Sequence, residues 1–330
     1  MKALNFPEKD KVAVGSMPDP VVGPGEVVIA VRASGICHTD IEVMRGNYGA
    51  SAFPIVPGHE YAGEIIEIGP EVTRLKVGDR VVVDPNLECG KCRACRRGWA
   101  HLCENLGAYG VTVNGGFAEQ SVVRADAVHQ IADMSFTMAA LAEPMGCVLN
   151  GLSPLEGRLI ERAAIFGTGP MGLLMGLALK SRGTPEVIMV DFDDDRLRMA
   201  KRNGLEAMKA GSGALKELRR GCDLAVDAAG VPAVAASLID CIANGGAALY
   251  FGVCPADARI EISPFEVFRR QLSLFGTHSL NHNIPDALAV IEAIGPSIED
   301  VVTHRLSFDG IADVMAGQKV KGSMKVQMVL

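Results

Sequence analysis

Cys89, Cys92, Cys95 and Cys103 stand within fifteen residues, in the run Cys-Gly-Lys-Cys-Arg-Ala-Cys-Arg-Arg-Gly-Trp-Ala-His-Leu-Cys. Four thiolates at this spacing satisfy a tetrahedral Zn²⁺ without any other residue type. Gly90 and Gly98 supply the tight turns of a compact lobe. A four-thiolate site is closed to substrate, so this metal is expected to hold structure and leave chemistry to another place. Disulfide pairing is disfavoured, because nothing else in the chain reads as secreted. His101 is redundant beside four sulfurs and reads as a surface residue. Trp99, the single tryptophan, is expected to pack over the lobe.

A second set of ligand-competent residues is dispersed. Gly58-His59-Glu60 closes an apolar stretch, Cys37 lies 22 residues before His59 in Cys37-His38-Thr39-Asp40, and Glu143-Pro144 comes much later. Cysteine, histidine and glutamate all bind zinc, and three protein ligands plus water define an open, catalytic site. On spacing alone, a satisfied polar His59 and a core Cys37 remain competing readings. A third motif is Gly167-Thr168-Gly169-Pro170-Met171-Gly172, a G-x-G-x-x-G that follows an apolar strand and opens a helix. In that context the first glycine turns the chain, the second admits the pyrophosphate and the third lets helix pack on strand. The helix N-terminus then offers its unpaired N–H groups to phosphate. Asp191 ends the next strand, nineteen residues after Gly172, where a carboxylate accepts from ribose hydroxyls and repels a 2′-phosphate. NAD is therefore expected over NADP, with Arg196 and Arg198 the residues able to rescue a phosphate. A solvated strand-end acid is the competing reading of Asp191. Gly252, Val253 and Thr277 are further cofactor-binding candidates, together with Arg196.

These residues must be carried by two kinds of structure. The first 140 or so residues contain short β-runs bounded by Gly and Pro: Glu26–Arg32, Glu64–Ile68 and Asp79–Val83. Helical periodicity is weak there, which predicts a folded-over barrel or sandwich. From about residue 144, apolar strands at 163–166, 186–191, 223–227 and 247–251 alternate with helical stretches at 170–181, 194–203 and 233–243. That alternation predicts a doubly wound parallel sheet. A helix around 285–294 and strand-like segments at 301–306 and 325–330 form a tail expected to dock on the first domain. The chain of 330 residues carries a net charge of −7, with no basic footprint for nucleic acid. No apolar stretch approaches a membrane span. The opening Met-Lys-Ala-Leu-Asn-Phe lacks the apolar core of a signal peptide. Cys147, Cys222, Cys241 and Cys254 read as reduced core residues. A reducing cytoplasm is expected.

Cys37-His-Thr-Asp40, the segment Gly58-His-Glu-x-x-Gly63-x₅-Gly69, Gly78-Asp-Arg-Val81, the four-cysteine lobe and the glycine motif together resemble the zinc-containing medium-chain alcohol dehydrogenase family. The resemblance spans essentially the whole chain. It implies an α/β protein in which a GroES-like β-rich catalytic domain, built from residues 1–143 and 279–330, flanks a Rossmann NAD-binding domain at 144–278. The structural zinc lobe would occupy about 86–106. The resemblance also assigns a catalytic zinc to Cys37 and His59, with a third position near Glu143. Relatives acting on simple alcohols place a cysteine there, whereas sorbitol-type polyol dehydrogenases carry Glu-Pro, as in Glu143-Pro-Met-Gly-Cys-Val-Leu-Asn-Gly151. In that branch either Glu60 or Glu143 completes the zinc shell. Thr39 would accept the alcohol proton. Glu42 stands where many relatives have the relay histidine, and Gly276-Thr-His-Ser279 stands where sorbitol-type enzymes carry an arginine and an aromatic residue; His278 would meet a substrate hydroxyl or the nicotinamide amide.

The resulting expectation is a dehydrogenase with two Zn²⁺ per chain and NAD, oxidising a secondary hydroxyl of a small polyhydroxylated substrate, a sugar alcohol, to a ketose. It would be a homo-oligomer, dimer or tetramer, without nucleic-acid or membrane partners. Neighbouring readings are a polyol-phosphate 5-dehydrogenase, for which Arg269-Arg270 would be the basic patch unless merely solvated, and an L-threonine 3-dehydrogenase-like enzyme. Readings of other classes are an idle zinc and nucleotide-binding regulator and a nucleic-acid-binding zinc ribbon, the latter opposed by the acidic balance.

Overall fold

A computed structural model describes residues 1–47, 53–211, 213 and 215–330. It divides into two units, Met1–Gly146 with Leu280–Leu330, and Cys147–Ser279.

The first unit is built on one ten-residue strand, Glu26–Gly35. Its opening half pairs antiparallel with Gln120–Arg124 and its closing half with Lys325–Val329, while Glu60–Ile68 runs along the other side. Arg80–Val83 and Val128–Gln130 continue the sheet beyond Glu60–Ile68, and Val302–Leu306 pairs parallel with Lys325–Val329 at the opposite edge. A single strand with different partners at its two ends curls the sheet around a core. Val27, Ile29, Val31, Tyr61, Ile65, Val81, Val83, Phe117 and Met328 fill it. Full burial of each such side chain contributes about 1.5–3 kcal/mol. Two strands extend past the runs visible in the sequence. Ala33-Ser34-Gly35 is poor in β-formers yet pairs with the returning C-terminal strand, and Glu60 to Gly63 belong to the strand that sequence places from Glu64. This extension sets Gly35 opposite Glu60.

The second unit is a six-stranded parallel sheet in the order Glu206–Lys209, Glu186–Asp191, Arg162–Phe166, Cys222–Asp227, Ile242–Tyr250, Ser273–Gly276. The order reverses between Arg162–Phe166 and Cys222–Asp227, and ligands bind such sheets at the carboxyl ends of the strands flanking that reversal. Helices Pro170–Ser181, Asp194–Arg202 and Pro232–Cys241 connect them. The two edge strands, Glu-Ala-Met-Lys and Ser-Leu-Phe-Gly, add to the strands legible in the sequence; edges lack the continuous apolar run of a strand buried on both faces.

Several expectations are corrected here. Cys222 and Cys241 are core residues whose thiols burial pushes up to about 12 and about 11, but Cys147 and Cys254 are only half-buried. Arg270 is not part of a solvated pair. It is 5% exposed and donates to the carbonyls of Ile239 (3.1 Å) and Ile242 and to Asn244 Oδ1 (3.2 Å), so it anchors helix Pro264–Arg270 and offers no phosphate patch. Trp99 is 47% exposed, with the Arg97 guanidinium 5.5 Å from its ring centroid, and His101 is half-buried. Among the described residues, no helix is long and apolar enough to cross a membrane.

Candidate zinc and dinucleotide sites

Cys37 precedes the short helix His38–Met44, and Asp40 closes the cap: its Oδ2 accepts from the Cys37 N–H at 2.8 Å. Its other oxygen accepts from the Gly58 N–H at 3.1 Å and lies 3.4 Å from His59 Nδ1. One fully buried carboxylate therefore ties together the two chain segments that carry Cys37 and His59. With Nδ1 turned toward Asp40, His59 has Nε2 available for an ion, an arrangement in which an outer carboxylate fixes the ligand's orientation. Ligand atoms of Cys37, His59 and Glu60 all lie within 4.8 Å of one another. His59 and Glu60 are buried, and Glu60 Oε2 has no hydrogen-bond partner. Burial alone would lower the His59 imidazole, yet Asp40 and Cys37 hold it well above the usual histidine range. Negative groups crowded around one imidazole, with a carboxylate oxygen unsatisfied, fit a divalent cation.

The expected set also included Glu143. It is buried in the first turn of helix Ala142–Leu152 and is not among the three residues whose ligand atoms converge. Its charge acts instead on Lys325, which sequence reasoning missed. Lys325 Nζ lies 2.5 Å from Glu60 Oε1 and donates to the Ile36 carbonyl at 3.0 Å. Burial opposes its charge, but Glu60, Cys37 and Glu143 keep it protonated. The available signal was a lysine opening the short C-terminal strand Lys325–Val329, Lys-Val-Gln-Met-Val. Asp40 carries a sequence signal of its own, since an acid three residues after a potential helix cap marks a capping box. Thr39 sits in the first helical turn, with Oγ1 3.7 Å from Cys37 Sγ. Glu42 is committed elsewhere: it accepts from Asn47 and Arg45, each at 3.0 Å. The Asn47 amide, then Arg45 and His38, hold its carboxyl below the usual range, which makes it a weak outer base.

In the lobe, the sulfurs of Cys89, Cys92, Cys95 and Cys103 also lie within 4.8 Å of one another. Backbone N–H groups of Cys95 and Glu104 lower the Cys92 thiol to about 6, while burial and the Cys92 and Cys103 sulfurs push Cys95 to about 12. Four sulfurs this close cannot all ionise without a cation among them, and a tetrahedral metal supplies one.

The glycine motif occupies the loop between Arg162–Phe166 and helix Pro170–Ser181. Gly167 has φ +101°, and a Cβ on Gly172 would collide with the Gly167 carbonyl. Gly169 caps the helix with no side-chain acceptor, and Pro170 follows at the first helical position, so Met171 and Gly172 present unpaired N–H groups. Asp191 Oδ2 accepts from the Thr168 N–H at 2.7 Å and Oδ1 from the Asp193 N–H at 2.9 Å. Arg196 Nη1 lies 3.9 Å from Asp191. Gly252 and the exposed Val253 follow strand Ile242–Tyr250, and Thr277 follows Ser273–Gly276, at the same carboxyl ends. Thr277 Oγ1 and Thr168 Oγ1 are buried without partners. His278 is exposed, and its carbonyl accepts from Asn150 at 3.1 Å.

Comparison with known proteins agrees with this construction. Residues 23–133 match the alcohol dehydrogenase GroES-like domain and residues 170–293 the zinc-binding dehydrogenase domain. The chain is 51% identical over 310 residues to D-altritol 5-dehydrogenase of Agrobacterium fabrum, covering 93% of this chain and 92% of that one. It is 31% identical to D-arabinitol dehydrogenase 1 of Uromyces fabae, covering 92% and 90%. The structure superposes on a zinc-binding dehydrogenase of Sinorhizobium meliloti 1021, solved bound to NADP, with a TM-score of 0.95 and 28% identity over 100% of this chain and 99% of that chain. Both halves matched, in the order Cys37–His59 centre, cysteine lobe and glycine loop, make the chain a member of the zinc-containing medium-chain alcohol dehydrogenase family.

Proposed function

We propose that this protein is an NAD-dependent zinc dehydrogenase that oxidises one secondary hydroxyl of a sugar alcohol to a ketose, with D-altritol the leading substrate. The observation that carries this reading is 51% identity to a D-altritol 5-dehydrogenase across nearly the full length of both chains. The chain falls in the polyol branch of its family, and a carboxylate, Glu60, as the third member of the cluster is consistent with that, since a carboxylate ligand leaves a harder metal more receptive to hydroxyl oxygens than a second thiolate would.

Two zinc ions per chain fit the two clusters. Cys37, His59 and Glu60 would hold the first and the four lobe cysteines the second. When bound at the first centre, zinc acts as a Lewis acid that acidifies a hydroxyl, as it takes water from a pKa of about 15.7 to about 7. Asp40 holds His59 and Cys37 in register. The Thr39 hydroxyl, beside the Cys37 sulfur, accepts the substrate proton. Glu42, tied to Asn47 and Arg45, leaves the onward proton to solvent.

The preference for NAD rests on Asp191. Two backbone N–H groups hold its carboxylate in place, and Arg196 faces that carboxylate. Asp191→Ser is expected to shift the NAD:NADP ratio of kcat/KM toward NADP by roughly tenfold, the loss of a charged hydrogen bond to ribose. An unchanged ratio would place cofactor selectivity elsewhere.

A homo-oligomer is supported by the open edge strand Ser273–Gly276 and by Phe265 and Phe268, 61% and 81% exposed on the neighbouring helix. Light scattering reads this directly. A reducing cytoplasm suits a chain whose cysteine lobe must stay as thiolates. The test of substrate class is NADH formation by zinc-loaded protein on stereodefined hexitols and pentitols, with D-altritol, D-arabinitol, hexitol phosphates and L-threonine included. Selective turnover of D-altritol is expected. Turnover of only a phosphate ester or threonine would overturn the polyol assignment.

A further inference from the structure

The Lys325–Glu60 pair joins residues 265 positions apart, both nearly inaccessible: Lys325 is 4% and Glu60 1% exposed. A buried ion pair costs desolvation that its own attraction seldom exceeds, so its retention beside a metal centre calls for a reason other than stability. Three further observations concern the same few ångströms. Lys325 Nζ also holds the Ile36 carbonyl, one residue before Cys37, so one ammonium grips both ligand-bearing segments. Only Oε1 of Glu60 is engaged; Oε2 is buried without a partner. Finally, Gly35, paired with Glu60 across the sheet and with Gln327 on the C-terminal strand, leaves the space that Oε2 occupies: a Cβ there would collide with Oε2 and come within 3.3 Å of Lys325 Cε.

We propose that Lys325 is a positioning residue for the Cys37–His59–Glu60 centre, occupying one carboxylate oxygen of Glu60 so that the ion meets that glutamate through Oε2 alone and a coordination position stays open for substrate. The inference rests on the reading of these three residues as the catalytic zinc ligands. The lysine supplies a positive charge that opposes the ion, and the glycine supplies room for the single remaining oxygen. Without the ammonium, both carboxylate oxygens become available and the opposing charge is gone. The ion is then held more tightly and less openly. A lysine that merely oriented Glu60 would have the reverse effect, because loss of an outer-shell partner ordinarily weakens metal binding 10–100-fold.

The direction of change therefore decides. Zinc content of the parent chain is measured first, since fewer than two ions per chain would sink the site reading itself and not this inference. Lys325→Met and Lys325→Arg are then compared for loss of zinc to a chelator, for the visible spectrum after cobalt replaces the catalytic zinc, and for kcat against KM. Lys325→Met is expected to release its catalytic zinc roughly tenfold more slowly, the effect of removing a like charge beside the ion. Its cobalt bands should weaken as a four-coordinate centre gains a ligand. Its kcat should fall about tenfold with KM little changed, the signature of a lost transition-state interaction. Lys325→Arg, which keeps the charge, should return all three readings toward the parent. If Lys325→Met does not fold, Lys325→Gln, which keeps a donor for the Ile36 carbonyl, carries the same expectations. Zinc released at the parent rate or faster, with an unchanged cobalt spectrum, overturns the proposal.

Discussion

Cys37→Ala is expected to lower kcat by at least roughly 10³-fold, about 4 kcal/mol of barrier, while leaving nucleotide affinity close to that of the parent. The reason lies in the separation of parts. Cys37 contributes the single thiolate of a three-residue cluster whose other members, His59 and Glu60, cannot by themselves complete an open zinc site of three ligands. The glycine loop, Asp191 and helix Pro170–Ser181 belong to the other compact unit and do not use Cys37 in their construction. The variant keeps Asp40, but the carboxylate would then cap a helix that no longer begins with a ligand. Zinc content should drop by one ion per chain, and titration with NADH should report unaltered binding. A Cys37→Ala protein that turns over at a tenth of the parent rate or better removes this residue from the metal shell.

The second large effect concerns the lobe. Between residues 86 and 106 only Ala100 and Cys103 are buried, and the regular structure amounts to two 3₁₀ turns and the two-residue strand Asn86–Leu87, paired with Gly107–Ala108 just beyond. So little apolar burial cannot fix the conformation of some twenty residues, each costing about 1–2 kcal/mol of backbone entropy. Asn281 helps from outside, donating to the Gly98 carbonyl at 2.9 Å and accepting from the Ala100 N–H at 3.1 Å, yet two hydrogen bonds are a small offset. A structural zinc site supplies about 10–16 kcal/mol in small zinc-finger peptides, and here it would be the main organiser. Cys95→Ser should therefore lose the lobe ion and open Lys91, Arg93, Arg96 and Arg97 to trypsin, with cleavage confined to the lobe before global unfolding. The rest of the first unit has its own core around Ile29, Tyr61 and Phe117, so circular dichroism should change little at low temperature. Two zinc ions per chain and parental resistance to trypsin in Cys95→Ser would show that the lobe stands without the metal.

Both expectations start from residues visible in the sequence, but they differ in how much of the site was legible there. The lobe is local: four cysteines within fifteen residues can enclose an ion whatever the remaining chain does. The glycine loop is nearly as local, because strand, turn and helix are consecutive and the helix Pro170–Ser181 has the limits its sequence predicts. The alternation of apolar strands with helices likewise identified the doubly wound sheet through its buried centre, and missed Glu206–Lys209 and Ser273–Gly276 because edge strands need only one apolar face. The Cys37 centre is different in kind. Its ligand types were legible, while their selection was not.

What the sequence by itself determined is thus the set of groups that can do the chemistry, two zinc-competent clusters and a dinucleotide loop, because these depend on residue type and short spacing. Only the tertiary structure brings the Glu60 carboxylate within 4.8 Å of the ligand atoms of Cys37 and His59. Strand pairing sets Glu60 opposite Gly35 and brings Lys325 back from the far end of the chain to meet it, while Glu143, in the first turn of helix Ala142–Leu152, acts on Lys325 through its charge. Register between strands hundreds of residues apart is fixed by which side chains the sheet must turn toward its core. No spacing along the chain carries that information.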